Sequence, residues 1–428
     1  MSLESVVVMG GGVAGFATAR ELRARGHTGR LAIIDPEGLP YDRPPLSKQY
    51  LMGTQDAARL AFEPAEWFAA HGIEVVHGTA AALDPAAGRV TLEDGTTTDA
   101  GAVVLAPGAA ARRLDIPGAD HPGVLELRTR ADADRLRPHL RPGARIVVVG
   151  GGLIGAEAAS AALALGATVD LVEPVDPPLV PVVGPDLARR LHAMHAERGI
   201  RVHGSVPVAI TPPEAASPSL STPSDGVRPA GGASPGVVPG PRRVLLADGT
   251  ALEADAVLVG IGIVPRTALA EAAGLAVEDG ILVDAAGRTS HPRVFAVGDA
   301  ARTRLADGTL LRRAEHWEAA LNSGTTAAAA LLGQAPPAHG APWFWSDRHG
   351  VHVEGVGRMA GAGTHVVRVE GGVPVAAFLV DDGGRLTGCA AVDGGLTVRA
   401  ARRIIDRGIP VDPAQLVDPS VPLKKLAR

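Results

Sequence analysis

Cysteine is nearly absent: 428 residues contain one, Cys389. A lone thiol cannot close an intramolecular disulfide, supply a CxxC redox pair or ligate an iron–sulfur cluster by itself. Dithiol-dependent reductases are thereby excluded, and any redox chemistry needs a bound cofactor. Aromatics are also few, at four Trp, two Tyr and six Phe, so cores must be built from Ala, Val, Leu and Ile packed around small residues. No basic stripe runs along the chain, and the net charge is −5, which argues against nucleic acid as a partner. There is no run of about 18 apolar residues, so no membrane span and no membrane partner are expected. The opening Met1–Ser5 has no basic segment leading into an apolar stretch, so no signal peptide is expected and the cytoplasm is the expected compartment.

What is abundant is Gly and Pro, 54 and 35 residues. With 46% hydrophobic and 20% charged residues, the chain reads as soluble and globular, and its length allows two to four domains. Residues 211–241 hold eight Pro, five Gly and five Ser. With few large apolar groups to offset ordering entropy, this segment reads as a flexible surface insertion.

Two segments look alike. Val6–Met9 leads into Gly10-Gly11-Gly12-Val13-Ala14-Gly15, a helical stretch and an apolar run ending at Asp35. Ile146–Val149 leads into Gly150-Gly151-Gly152-Leu153-Ile154-Gly155, an Ala-rich helical stretch and a run ending at Glu173. Each is strand, GxGxxG, helix, strand and acid, the dinucleotide fingerprint in its proper context. The first Gly makes the tight turn, the second clears space for a pyrophosphate, and the third lets the helix pack on the strand. The free N–H groups of the helix start attract phosphate, and the acid can accept from a ribose. One copy would be weak evidence, because such turns also form without ligands; two complete copies point to two dinucleotide sites. From about Ala314 an Ala-rich helix and alternating strands predict a third, α+β domain, and four of the twelve aromatics fall between 317 and 345.

The motifs Pro40-Tyr41-Asp42-Arg43-Pro44-Pro45-Leu46-Ser47-Lys48, Val294–Asp299, Glu315-His316-Trp317, Trp343-Phe344-Trp345-Ser346-Asp347 and Asp418–Lys424 together resemble the FAD-dependent ferredoxin reductases. Those enzymes serve Rieske dioxygenases and bacterial cytochrome monooxygenases, with apoptosis-inducing factor a more distant relative. The resemblance covers the chain except 211–241. It implies an α/β fold of two Rossmann-like dinucleotide-binding domains, FAD and NAD in a glutathione-reductase-like arrangement, plus a C-terminal α+β domain. The implied bounds are 1–112 and 247–318 for the split FAD domain, 113–246 for the NAD domain and 319–428 for the C-terminal interface domain. The implied activity passes electrons from NADH through FAD, one at a time, to a separate iron–sulfur ferredoxin. Two other readings stay open: a stand-alone flavin oxidoreductase acting on a small metabolite or oxygen, and a redox-sensing binding protein like apoptosis-inducing factor. The oligomeric state, monomer or homodimer, is also open.

Carried residue by residue, the resemblance places Gly10, Gly12, Val13, Ala14, Gly15, Ala106, Arg128, Gly298 and Asp299 at FAD, with Asp35 or Glu37 at its adenosine ribose. Arg43 would pair the pyrophosphate or, alternatively, form a loop salt bridge; Asp299 would meet the ribityl chain or cap a helix. Gly150, Gly152, Leu153, Ile154, Gly155, Glu173, Gly260 and Gly262 fall to NADH. Lys48 and Glu157 would form a buried pair beside the flavin, unless Glu157 is simply an exposed helix residue. Trp317 would be the flavin's aromatic neighbour. Glu173 would accept from ribose hydroxyls and repel a 2′-phosphate, and Pro174–Pro178 lack Lys and Arg, so NADH is expected over NADPH unless Arg189 folds back.

The chain departs from the family pattern at Pro107, at Arg348 in place of the usual Gln, and at His349. His192, His195 and His203 read as an ordinary helix face and its neighbour rather than a metal site. Ser160 and Ser346 lack a nucleophile context, and Cys389 reads as core. Arg302, Arg304, Arg312, Arg313 and Arg348 are candidates to meet an acidic ferredoxin, although residues 299–349 balance five bases with five acids.

Overall fold

The computed structural model describes residues 3–212 and 243–428. The apolar runs near the N-terminus do not alternate, as strands covered on both faces require. β1 (Ser5–Met9), α1 (Val13–Ala24), β2 (Arg30–Asp35), β3 (Ile73–His77) and β4 (Ala102–Leu105) form the first fingerprint and its neighbours. The chain then crosses through β5 (Ala109–Ala111) and β6 (Val124–Leu125) into a second unit. That unit contains β7 (Arg145–Val149), α2 (Leu153–Ala164), β8 (Thr168–Val172), α3 (Pro185–Glu197), β9 (Arg201–His203) and β10 (Ala256–Val259). It returns through β11 (Ile263–Pro265) to β12 (Val294–Ala296) and α4 (Trp317–Leu331).

The first sheet has the order β12-β4-β1-β2-β3 and the second β9-β8-β7-β10-β6, and every pairing within them is parallel. Their registers match: Met9 lies opposite Ile34 as Val149 lies opposite Val172. Each glycine turn therefore faces the acid that follows its second strand.

The expected boundary at 246/247 falls too early. β10 pairs with β7 from Ile146↔Ala256 to Val149↔Val259, so the second unit continues to about residue 260. A short run such as Ala-Val-Leu-Val is buried in either sheet, and topology chooses its neighbour. The return strand β11 pairs antiparallel with β5, so the two crossings lie side by side. Of the expected insertion 211–241, only Thr211 and Pro212 lie among the described residues; Thr211 is a strand residue paired with Arg243.

Small residues carry the packing. α1 and α4 approach so closely that a Cβ on Gly324 would run into the carbonyl oxygen of Ala14. Ala14, Ala19, Ala320, Ala327 and Ala328 fill that contact, which needs no large side chain.

The third unit is an antiparallel sheet of β13 (Trp343–Arg348), β14 (Val351–Gly357), β15 (Thr364–Glu370), β16 (Val373–Val380) and β17 (Leu386–Val392), in the order β13-β14-β17-β16-β15. Helix α5 (Gly395–Arg407) covers one face over a core that includes Phe378, Cys389, Val398 and Ile404. Among the described residues, no helix is long and apolar enough to cross a membrane.

The C-terminal segment packs Leu416 and Leu423 into the core of the third unit, and one buried side chain ties down its backbone. Arg368 donates from Nε to the Leu416 carbonyl at 2.8 Å and from Nη2 to the Val421 carbonyl at 3.1 Å. Arg368→Met should strand both carbonyls and cost about 2–3 kcal/mol. A lowered denaturation midpoint, with earlier proteolysis between residues 413 and 421, is the expected result; an unchanged midpoint would refute the role.

Candidate active site

Each glycine turn ends one strand and starts one helix, and the two copies share their geometry. A Cβ on Gly15 would run into the Gly10 carbonyl, and one on Gly155 into the Gly150 carbonyl, so only glycine lets the helix sit this close to the turn. Gly12 and Gly152, by contrast, face open space and cap their helices without any side-chain hydrogen bond. The first N–H groups of α1 and α2 therefore point outward with no intrahelical partner, as an anion site requires.

The acids close each turn from behind. Asp35 accepts from Gly11 N at 2.6 Å and from Glu37 N at 2.7 Å. Glu173 accepts from Gly151 N at 2.7 Å and from Val175 N at 2.8 Å. Each carboxylate thus stands beside its turn and also braces it.

Around the first turn, Arg43 lies over the Tyr41 ring, 3.4 Å from Glu37, and donates to the Arg128 carbonyl at 3.3 Å. The alternative of a loop salt bridge thus describes the contact the structure contains. Arg128 reaches Asp299 at 2.6 Å and the Ala109 carbonyl at 3.1 Å. Asp299 is paired rather than serving as a helix cap, the position preceding its short turn being Val297. Gly298 N donates to Ser323 Oγ at 2.9 Å, which ties this strand end to α4. Buried Ala106 touches the first turn through its backbone, because a Cβ on Gly10 would meet the Ala106 carbonyl. Gly260 plays the same part behind Gly150, and Gly262 follows at positive φ in the crossing. Val13 and Ala14 open α1; Leu153 and Ile154 open α2, where Ile154 is largely exposed.

The most concentrated chemistry lies between the units. Glu157, on the first turns of α2, is only 3% exposed, which rules out the reading of a surface helix residue. Its Oε2 lies 2.8 Å from Lys48 Nζ and accepts from Ser47 Oγ at 2.5 Å. Its Oε1 accepts from Ser346 Oγ at 2.7 Å and from Asp347 N at 3.3 Å. Lys48 also reaches the Pro44 carbonyl at 3.2 Å. Removing either member of such a buried pair leaves an uncompensated charge, at a cost of about 3–5 kcal/mol.

Beside Lys48 opens a pocket of about 300 Å³, lined among others by Asp42, Gln49, Trp345 and Asp347. Trp317 donates from Nε1 to Asp42 at 2.8 Å and meets Trp345 edge-on, and Trp345 stacks on Trp343. Burial pushes the Asp42 carboxyl above its ordinary value, against the lowering effect of the Trp317 bond.

Residues 4–324 match the model of the pyridine nucleotide-disulphide oxidoreductase family, and residues 343–427 match a reductase C-terminal domain. The chain belongs to that family. It is 36% identical to rhodocoxin reductase of Rhodococcus erythropolis, covering 98% of this chain and 93% of the relative. It is 35% identical to the ferredoxin–NAD(+) reductase subunit of the benzene 1,2-dioxygenase system of Pseudomonas putida, covering 99% and 97%. Among solved structures it superposes on the covalent putidaredoxin reductase–putidaredoxin complex with a TM-score of 0.87 at 31% identity, covering 99% of this chain and 98% of the other.

As a pyridine nucleotide-disulphide oxidoreductase family member the protein is an oxidoreductase, and FAD and NAD(H) are the family's cofactors. Both cradles fit such groups: open glycines, outward helix N–H groups and a carboxylate behind each turn. The chain has no dithiol for the disulphide branch of the family. Cys389 is fully buried, and burial pushes its thiol well up from the ordinary value.

Sequence reasoning missed Ser47 and Ser346 as partners of Glu157, although both stand inside motifs it quoted. It also placed Arg348 on a partner surface, whereas Arg348 is 2% exposed and donates to Ser346 Oγ at 3.0 Å. Arg313 is likewise mostly buried, between Asp279 and Glu315, while Arg302 and Arg304 both face Glu278. Arg312 is exposed.

The histidines sort differently from their spacing. His203 bonds Asp170 at 2.8 Å, while His195 Nδ1 meets His349 Nε2 at 2.9 Å, which joins α3 to the third unit. Burial, reinforced by neighbouring cations, pushes His195 down to about 3 and His349 down to about 4. Unfolded histidines bind protons near 6.5, so acid between about pH 6.5 and 4 favours the unfolded chain. Stability should fall as pH drops through that window. The double variant His195→Leu, His349→Asn should show a smaller fall in denaturation midpoint between pH 7.5 and 5 than the parent protein; equal falls would refute the assignment.

Proposed function

We propose that the protein is an NADH-dependent, FAD-containing reductase that delivers electrons singly to a separate iron–sulfur ferredoxin. The observation that carries the reading is the Lys48–Glu157 pair, buried where the three units meet and beside the open pocket. The first unit with its return, residues 3–112 and about 261–318, is assigned to FAD. The second unit, to about residue 260, is assigned to NADH, and the third covers the junction.

Bound FAD supplies the conversion from a two-electron hydride donor to one-electron release. The protein's own work is holding and tuning. Gly10, Gly12 and Gly15 give a pyrophosphate access to the N–H groups of α1, and Gly150, Gly152 and Gly155 do the same at α2. Arg43 and Arg128 lie near the first cradle as cations, and Asp299 as an acceptor. Lys48 holds positive charge at Nζ toward the pocket, while Glu157 fixes that ammonium in place. Trp317, anchored by Asp42, stands edge-on behind Trp345, which lines the pocket with Asp42.

Glu173 supports NADH as the coenzyme. Its carboxylate stands where an adenosine ribose would present its hydroxyls, and it repels a 2′-phosphate. Arg189, a candidate to fold back and pair such a phosphate, is instead bonded to Asp186 at 2.5 Å on α3.

Iron–sulfur ferredoxins suit the acceptor role because the Pseudomonas putida relative is a ferredoxin–NAD(+) reductase subunit and this chain has no thiol pair of its own. Exposed Arg312 is the basic group assigned to an acidic partner.

With NADH and a panel of ferredoxins, rapid flavin reduction followed by rapid ferredoxin reduction is expected. Equal NADH turnover without any iron–sulfur protein would instead favour a stand-alone oxidoreductase. A reduced complex that persists with ferredoxin present would favour a sensing protein. Steady-state kinetics should give kcat/KM for NADH at least tenfold above that for NADPH. Glu173→Ala should lower the NADH value about ten- to a hundredfold, the weight of a hydrogen bond to a charged group, and narrow the preference.

A further inference from the structure

We propose that Arg348 is a positioning residue that places a second positive charge behind the Lys48–Glu157 pair, through Ser346, and thereby raises the reduction potential of the flavin. The inference rests on the proposed reading that this pair faces the flavin.

The arrangement is a short chain of groups. Lys48 Nζ lies 2.8 Å from Glu157 Oε2, Glu157 Oε1 accepts from Ser346 Oγ at 2.7 Å, and Ser346 Oγ accepts from Arg348 Nη2 at 3.0 Å. Two cations thus share one carboxylate. Other nearby acids do not balance the second cation. Asp347 turns its carboxylate to His352 at 2.6 Å, and Asp42 is bonded to Trp317. His349 and His195, also close to the guanidinium, are held neutral at ordinary pH. Burial lowers Arg348 from its usual value to about 10, so it stays charged at neutral pH, and Glu157 is the group that opposes the fall.

Packing does not account for this residue. Arg348 is 2% exposed, and its Nε is buried without a hydrogen-bond partner. A guanidinium held this way costs desolvation that its single bond to Ser346 does not return, and a neutral side chain of similar volume would fill the space more favourably. What a neutral side chain cannot supply is charge. With Lys48, Glu157 and Arg348 all ionised, the cluster is net positive, and a net positive cluster favours the negative charge that reduction places on a flavin. The hydroxyl of Ser346 fixes the distance between guanidinium and carboxylate, so the field is set by a rigid strand end rather than by a mobile surface side chain.

The test is a reductive titration of the FAD-loaded protein against a reference dye, with flavin content read by absorbance. Arg348→Gln should shift the reduction equilibrium at least tenfold toward oxidised flavin, about 30 mV for a two-electron couple. Arg348→Lys should recover most of that shift, because it keeps the charge. Arg348→Met serves in place of Gln should the Gln variant not fold. Lys48→Gln is the control for the underlying reading and should also lower the potential. If Lys48→Gln shifts the potential and Arg348→Gln does not, the role of Arg348 is refuted while the reading of the pair stands. If neither shifts it with flavin fully bound, the reading itself fails and the inference with it. A shift in Arg348→Lys as large as in Arg348→Gln would show that charge is not the cause, and would overturn the proposal.

Discussion

One carboxylate holds three units together. Glu157 belongs to the second unit, yet its donors come from the other two: Ser47 and Lys48 from the first, Ser346 and the Asp347 amide from the third. A buried carboxylate is costly unless its lone pairs are taken up, and here four donors converge on two oxygens. The relative placement of the units is therefore constrained by a polar requirement as well as by apolar packing. The same requirement puts Lys48 at the wall of the pocket and gives it a fixed direction.

The duplicated fingerprints show how one solution serves two sites. In both, the acid ending the second strand bonds the amide of the middle glycine and the amide two residues beyond itself. Glu173 is one methylene longer than Asp35, yet it makes the same pair of contacts, because the strand registers are identical. What distinguishes the cradles lies beyond the motif. Beyond the first, a chain of contacts links Glu37 to Arg43, Arg128 and Asp299, drawn from separate segments. Behind the second stand glycines and proline, with no cation within the turn that follows Glu173.

Much of this was legible from local pattern. Strand, turn, helix and acid follow one another within some 25 residues in each copy, and their physics is short-range, so fold class and both cradles could be read directly. The Lys48–Glu157 pair was reachable only through the resemblance, since 109 positions separate its members. Ser346 escaped because its partner Glu157 lies in another unit, and Arg348, bonded to that serine, carries no local signature of burial. The boundary after residue 246 failed for a related reason: Ala256–Val259 carries the same buried pattern in whichever sheet it joins. His195 and His349 are 154 positions apart and meet only where the second and third units dock.

Scarcity of large side chains and scarcity of thiols turn out to be linked through packing. Helices built on Ala and Gly approach until backbone meets backbone, as Gly324 does at Ala14, so few aromatics are needed for the cores. Three of the four Trp, Trp317, Trp345 and Trp343, instead form a chain of ring contacts, edge-on and then stacked, whose middle member lines the pocket. Cys389 takes a core position in the third unit, paired across strands with Val356 and Phe378, where it is small, apolar and inert. With that thiol out of reach, no protein group in the chain can take electrons from the junction in a stable form. Under the proposed function the path must leave the molecule at the pocket beside Lys48. The charge held there by Glu157 and Arg348 would then govern both the arrival of electrons and the ease of their departure.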